Sequence, residues 1–224
     1  MASVSQKERC DFLKNRTKRI IMSAAGVGVC GISVGLFKHA ALGVDPFQSL
    51  MSGLDAVIPI RFGALYVLVN LVLLVVSLLA DRKKIGLATI INLLFLGYIA
   101  EYSQKFFERF FPSPDIIGRF LLLVMAVIIM CLASSFYFTA NLGVSTYDAV
   151  TLIWSERQSR IPFSVCRIIG DVTCVVLGAG LCYAAGFSVY QIFEVVGIGT
   201  IITAFFMGPL ISFFNRKVAE PILQ

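Results

Sequence analysis

Six long apolar runs separated by short polar joints make up most of this chain: Ile20 to Phe37, Phe62 to Ala80, Ile85 to Ala100, Ile116 to Ala140, Pro162 to Ala184 and Ser188 to Phe214. A helix of roughly 20 apolar residues crosses the ~30 Å hydrocarbon core of a bilayer, so each run reads as a spanning helix. The third run continues as Glu101 to Phe110, an amphipathic extension expected at the membrane interface. Two further stretches are too short to cross. Gln48 to Val57 gives about ten residues of helix, ~15 Å at ~1.5 Å per residue, and a second short helix is expected through Trp154.

Both short helices follow the same motif. Leu42-Gly43-Val44-Asp45-Pro46-Phe47-Gln48 returns one hundred positions later as Leu142-Gly143-Val144-Ser145-Thr146-Tyr147-Asp148. Asp45 or Ser145 can accept hydrogen bonds from the free amides of a first turn, and Pro46 suits the first helical position. Each copy therefore predicts that a helix ends, the chain turns at glycine and a new helix opens. The repeat extends further. Phe62 to Leu71 aligns with Phe163 to Val172, setting Tyr66 against Arg167 and Asn70 against Asp171. Gly86-Leu87-Ala88-Thr89 aligns with Gly197-Ile198-Gly199-Thr200, Asn92 with Thr203, and Gly97 with Gly208. The resulting division is a basic segment at 1–19, a first repeat at 20–111, a second at 112–215 and a tail at 216–224.

Composition agrees with a membrane protein: 58% of residues are apolar, 14% are charged and the mean hydropathy is +0.88, against about a quarter charged in soluble domains. The first run is too long for the core of a cleaved signal. The formal charge of +6 is carried at the ends of runs, in Lys7 to Arg19, Asp81 to Lys84, Glu156 to Arg160 and Arg216-Lys217. That placement excludes a nucleic-acid partner and fixes topology. With neither short helix crossing, all four clusters and both termini fall on the cytoplasmic side; with both crossing, Asp81 to Lys84 falls outside. Three crossings per copy is odd, so the copies are inserted in opposite senses. The expected fold is an all-α membrane protein of six transmembrane helices in two inverted three-helix repeats, each with a short broken, re-entrant helix.

Polar groups inside spans are costly and mark function by default. The substrate-binding candidates are Asp45, Pro46, Gln48, Tyr66, Asn70, Thr89, Asn92, Ser145, Thr146, Asp148, Arg167, Asp171, Thr200 and Thr203. Asp171 is the sharpest, near mid-membrane, and its alternative reading is a structural pair with Arg167 at i, i+4. Glu194 and Gln191 also lie in the sixth run. The amino termini of the short helices can hold an anion, although Asp45 and Asp148 can already fill that role. The six cysteines form no Cys-x-x-Cys pair, and five of them read as small core residues. His39 sits at a helix end, where an interfacial role is expected. Gly26, Gly28, Gly31 and Gly35 give the first helix a face for close helix packing. No nucleophile elbow, phosphate loop or metal motif is present, and Gly197-Ile198-Gly199-Thr200 falls inside a span. No enzyme activity, cofactor or metal is expected.

These residues resemble the YczE/YyaS/YitT-type bacterial integral membrane proteins. The resemblance covers about residues 25 to 212 and rests on Ala41-Leu42-Gly43-Val44-Asp45-Pro46-Phe47, on Gly197-Ile198-Gly199-Thr200 and on Gly208-Pro209. Ser145-Thr146 departs from it, standing where a Gly-Pro-like pair is expected, and Asp171 falls where an acidic residue is expected. The resemblance implies a bacterial inner-membrane location and, through the association of members with vitamin B6-responsive regulators, a vitamin-like cargo. The expected function is a small secondary transporter or facilitator of a small polar metabolite, zwitterionic or anionic. The alternative is a scaffold or regulatory subunit that binds a partner protein through the glycine face and Glu101 to Phe110; a membrane enzyme using Asp171 and Glu194 comes third. The partners expected are the lipid bilayer and a small-molecule substrate, with a homo-oligomer left open.

Overall fold

The computed structural model describes residues 6–81, 85–112, 114–158 and 163–223. Arg82 to Lys84, Ser159-Arg160 and the Ile161-Pro162 opening of the fifth run lie outside the described residues. Among those described, all regular structure is helical. The elements are α1 (Gln6–Ala40), α2 (Pro46–Val57), α3 (Phe62–Ala80), α4 (Leu87–Phe110), α5 (Ile116–Ala140), α6 (Thr146–Arg157), α7 (Phe163–Ala184), α8 (Val189–Val195), α9 (Ile198–Phe214), a π-helical turn at Asn215–Ala219, and α10 (Glu220–Leu223). Among the described residues five segments are long and apolar enough to cross a membrane: Arg16–Ala40, Phe62–Ala80, Ile116–Ala140, Val165–Ala184 and Val189–Met207. Outward faces such as Leu68, Leu71, Val72, Val75 and Leu79 on α3 remain exposed, as expected of a membrane-embedded protein whose outer solvent is lipid. The polar extension after Ala100 is not a separate element but the second half of α4, where Glu101 is paired with Arg61 at 3.0 Å and Lys105 at 2.8 Å.

The sixth run is not one helix. It stops after Val195 and reopens at Ile198, because the backbone there bonds to the distant first motif instead of continuing its own ladder: Gly199 N–H donates to Leu42 O at 2.8 Å, and Gly43 N–H and Val44 N–H donate to Glu194 O and Val195 O at 3.0 and 3.1 Å. Gly197-Ile198-Gly199-Thr200 is therefore a helix start, with Gly197 N–H donating to Thr200 Oγ1 at 3.3 Å. Gly86-Leu87-Ala88-Thr89 does the same at the start of α4, with Gly86 N–H on Thr89 Oγ1 at 3.2 Å.

α1 is the centre of the molecule. It runs antiparallel to α5, with Arg19 Nη1 donating to Ala140 O at 3.0 Å at one end and Ser33 Oγ to Ala126 O at 2.7 Å further along. Gly26 lies against the Ala133 carbonyl and Tyr137, and Gly31 against Ile99 and Leu96 of α4, so these glycines are filled from inside the molecule. α1 lies parallel to α4, and α5 lies parallel to α9 through Cys131 beside Met207 and Thr139 bonded to Asn215. α2 packs on α7 through Gly53 and Gly178, while α6 packs on α3, Arg157 reaching Ala80 O at 3.4 Å. Each short helix is thus held by the long helix of the opposite half. The core runs through Val27, Val34, Phe37, Met51, Leu65 and Leu123.

Candidate functional site

Two left-handed residues build each turn: Ala41 (φ 51°) and Gly43 (φ 102°) in the first, Asn141 (φ 52°) and Gly143 (φ 105°) in the second. Residues with a side chain rarely adopt such angles, and the turn is held by exchange between halves. The bonds from Gly199, Gly43 and Val44 clamp the first turn. Ala88 N–H on Leu142 O at 3.0 Å and Thr89 Oγ1 on Val144 O at 2.6 Å clamp the second. The caps form as their chemistry requires, Gln48 N–H donating to Asp45 Oδ1 at 3.3 Å and Asp148 N–H to Ser145 Oγ at 3.1 Å. The amino-terminal ends of α2 and α6 then meet: the Phe47 and Tyr147 rings stack at 5.1 Å between centroids.

A cavity of about 750 Å³ lies at this meeting point, within the usual range for small-ligand sites. Of the residues singled out in the sequence, Asp45, Pro46, Gln48, Tyr66, Asn70, Asn92, Ser145, Asp148, Arg167, Asp171 and Thr203 line it. Thr89, Thr146 and Thr200 do not. Thr89 and Thr200 close the first turns of α4 and α9, and Thr146, fully buried, donates its hydroxyl to Asn70 Oδ1. Asn70 in turn gives its Nδ2 to Tyr66 O at 2.8 Å, and Tyr66 OH donates to Asn92 Oδ1 at 3.3 Å.

The charged part of the wall is one connected network. Arg167 pairs with Asp148 through Nη1 and with Asp171 through Nε at 3.2 Å, and its guanidinium lies 4.8 Å from the Tyr147 ring centroid. Tyr147 OH donates to Asp171 Oδ1 at 2.6 Å. Asp148 Oδ2 accepts from Tyr137 OH at 2.8 Å and Ser145 Oγ at 2.7 Å. Asp171 is thus both the i, i+4 partner of Arg167 and part of the cavity wall. Asp148 does more than complement a helix end, because it shares the guanidinium. Sequence reasoning missed Tyr137, Tyr147, Phe47 and the Cys30–Ser134 pair, all of which line this cavity. Position within the motif was the available signal for Phe47 and Tyr147.

Beyond Thr203 the cavity follows α9 past Met207 and Ile211 to Asn215. Along α4 only Asn92 and Leu96 contribute. On the α4 side, Lys38 Nζ sits 3.1 Å from the Phe62 ring centroid and His39 meets Phe111 O at 3.0 Å. Glu194 belongs elsewhere, 3.7 Å from Arg119 in a second pocket of about 390 Å³, so the Asp171 and Glu194 pair is not brought together. Gln191 caps Ser188 at an exposed helix start. Cys30, Cys131, Cys166, Cys174 and Cys182 are free and buried, and among the described residues no cluster could hold a metal ion.

Comparison with known proteins returns a family and relatives without an activity. The model of a family of unknown function, DUF6198, matches residues 17–216. A Bacillus subtilis protein named "Uncharacterized protein YyaS" is 23% identical over 202 residues, covering 89% of this chain and 94% of its own. A Haemophilus influenzae protein named only "Uncharacterized protein" is 20% identical over 203 residues, covering 91% of this chain and 86% of its own. No solved structure matches.

Proposed function

This chain belongs to the DUF6198 family of unknown function, and we propose that it is a small secondary transporter or facilitator for a small polar metabolite in the bacterial inner membrane. In this reading α4 is the sixth spanning helix, the two halves are inverted repeats, and α2 and α6 are re-entrant half-helices with their amino termini near the midplane. Broken helices meeting at a site between repeats are a recurring plan for solute carriers. The observation that carries the reading is the cavity at the junction of the two half-helices, lined by Asp45, Asp148, Arg167 and Asp171. Buried charges gathered around an open space in a membrane protein are expensive to keep without a use.

With both termini cytoplasmic, the branch of the cavity along α9 to Asn215 leads inward, while Lys38 over Phe62 and Arg61 on Glu101 lie on the outward side and outside the cavity wall. Access from one side at a time is what alternation requires. The scaffold alternative has less of its expected surface, because Gly26, Gly31 and Gly35 of α1 pack against α5 and α4 while Gly28 alone faces open space.

Uptake into proteoliposomes, screened with a panel of small amines, amino acids, carboxylates and vitamin-like compounds, tests the proposal. At least one solute is expected to accumulate, and Asp171→Asn and Asp45→Ala are expected to abolish its uptake. Uptake that both substitutions leave unchanged removes these residues from the mechanism, and no uptake of any solute removes the transport reading.

A further inference from the structure

The wall of the central cavity carries three carboxylates, Asp45, Asp148 and Asp171, and Arg167 as its only basic residue among those described. The guanidinium is shared by Asp148 and Asp171. Asp45 is left over: among the described residues no basic side chain lies within ion-pair distance of it, and its carboxylate takes the Gln48 amide at 3.3 Å. The end of α2 supplies about half a positive charge at best.

Comparison of the two turns shows where the asymmetry arises. The second turn has Ser145 where the first has Asp45, and Arg167 where the first half has Tyr66. In the cavity wall, among the described residues, the second half therefore supplies two acids and a base, and the first supplies one acid and no base.

A second group beside Asp45 also lacks a partner. Gln48 is 3% exposed and lines the cavity, yet its Oε1 is buried with no hydrogen-bond partner. Buried acceptors without donors are costly and uncommon. A carboxylate with no base beside it, the amide side chain of Gln48 in the same wall and the rings of Phe47 and Tyr66 next to them match a group with several N–H donors and a positive charge. An ammonium satisfies the acceptors through its donors and is attracted to aromatic faces. An anion would face the excess of carboxylates with the single guanidinium already engaged twice.

We infer that the Asp45–Gln48 end of the cavity receives an ammonium group, so that the solute class is organic amines, including zwitterions that carry one. The inference rests on the cavity being the transport site proposed above. It narrows the earlier choice between zwitterion and anion by excluding simple anions.

The test uses three probes of one skeleton, 2-phenylethylamine, 2-phenylethanol and phenylacetate, at neutral pH and matched ionic strength. Each is titrated into the purified full-length protein and read by ligand-induced thermal stabilisation. The amine is expected to bind about 10-fold or more tighter than the alcohol, the scale of a charge-assisted hydrogen bond, with phenylacetate weakest. Asp45→Asn, which keeps a good helix cap, is expected to abolish that preference; Glu194→Gln, outside the cavity, is expected to keep it. Equal binding of amine and alcohol, as a carboxylate neutralised by a proton would give, overturns the inference. So do tighter binding of phenylacetate, no binding of the amine, or a preference that survives Asp45→Asn. Amine binding without uptake of any solute into proteoliposomes overturns transport and leaves the ammonium site standing. Uptake of neutral or anionic solutes with no amine preference does the reverse.

Discussion

Adding one methyl group at Gly43 tests whether the turn is as tightly clamped as its geometry indicates. The backbone at Gly43 has φ 102°, where a side chain costs ~1–2 kcal/mol. The new Cβ would stand 2.5 Å from Gly197 N and 2.8 Å from Thr200 Oγ1. Backbone cannot move aside cheaply, and overpacking of this kind costs ~1–3 kcal/mol. The sum, ~2–5 kcal/mol, corresponds to a fall in melting temperature of roughly 5–15 °C for a chain of this size. Gly43→Ala should therefore be compared with two controls. Gly186→Ala has the strained φ of 84° with nothing near the new atom, and should lose only the backbone share. Gly28→Ala adds a methyl to α1 in open space and should be neutral or stabilising by up to ~1 kcal/mol. The buried thiols of Cys131, Cys166, Cys174 and Cys182 allow a thiol-reactive fluorophore to read unfolding in detergent, with all variants heated at one scan rate because such melts are kinetic. A Gly43→Ala melt no lower than that of Gly186→Ala refutes the clamp, since strain alone would then account for the loss.

Three further outcomes follow from the same contacts. Arg167→Met strands Asp148 and Asp171 without their base, at a cost of ~3–5 kcal/mol, and Asp171→Asn added to it should recover part of the lost melting temperature. Thr89→Val removes both the 2.6 Å bond to Val144 O and the acceptor for Gly86 N–H, and should lower stability by ~1–2 kcal/mol in the same assay. Cys30 lines the cavity, so a small methanethiosulfonate should label it in the folded protein, and labelling should slow when a bound solute fills the space; equal rates with and without an uptake-competent solute would count against occupancy there.

What could be read from the chain alone depended on how local its cause was. α3 and α5 match the apolar runs at Phe62–Ala80 and Ile116–Ala140, because charged or capping residues bound them at Arg61, Asp81, Asp115 and Asn141. The openings of α2 and α6 were legible because Asp45, Pro46 and Ser145 act within one helical turn. The break before Gly197 was not. Val195-Val196-Gly197 is apolar, and what interrupts it is the backbone of residues 42 to 44, far away in sequence. A signal existed nonetheless, since the aligned Gly86-Leu87-Ala88-Thr89 opens a helix after a polar joint, and carrying that start over to its repeat would have placed the second one. The Arg167–Asp171 pair followed from helical spacing. Tyr147 on Asp171 and Arg167 on Asp148 join α6 to α7, contacts that no periodicity encodes.

The exchange of clamps changes which parts can move as units. Rocking one sequence half against the other would tear the first turn from Gly197 and the second from Gly86, and would separate α2 from α7 at Gly53 and Gly178. If transport is alternating access, the moving bodies are instead the swapped sets, α2 with α7 and the start of α9, and α6 with α3 and the start of α4. α1 and α5 form the shared axis, and the seam between the swapped sets is crossed by Phe47 on Tyr147 and by the side-chain contacts of Tyr147 with Asp171 and Asp148 with Arg167, which this motion would have to exchange. Spin labels can distinguish the two schemes at exposed sites that leave the core alone. Val57 on α2 and Tyr183 on α7 are 50% and 74% exposed, and Leu79 on α3 is 82% exposed. The Val57–Tyr183 distance should stay constant between the solute-free and solute-bound protein, while Val57–Leu79, a pair within one sequence half, should shift. The opposite pattern would mean that the hydrogen bonds across the halves break during the cycle, and that the sequence halves are the moving bodies after all.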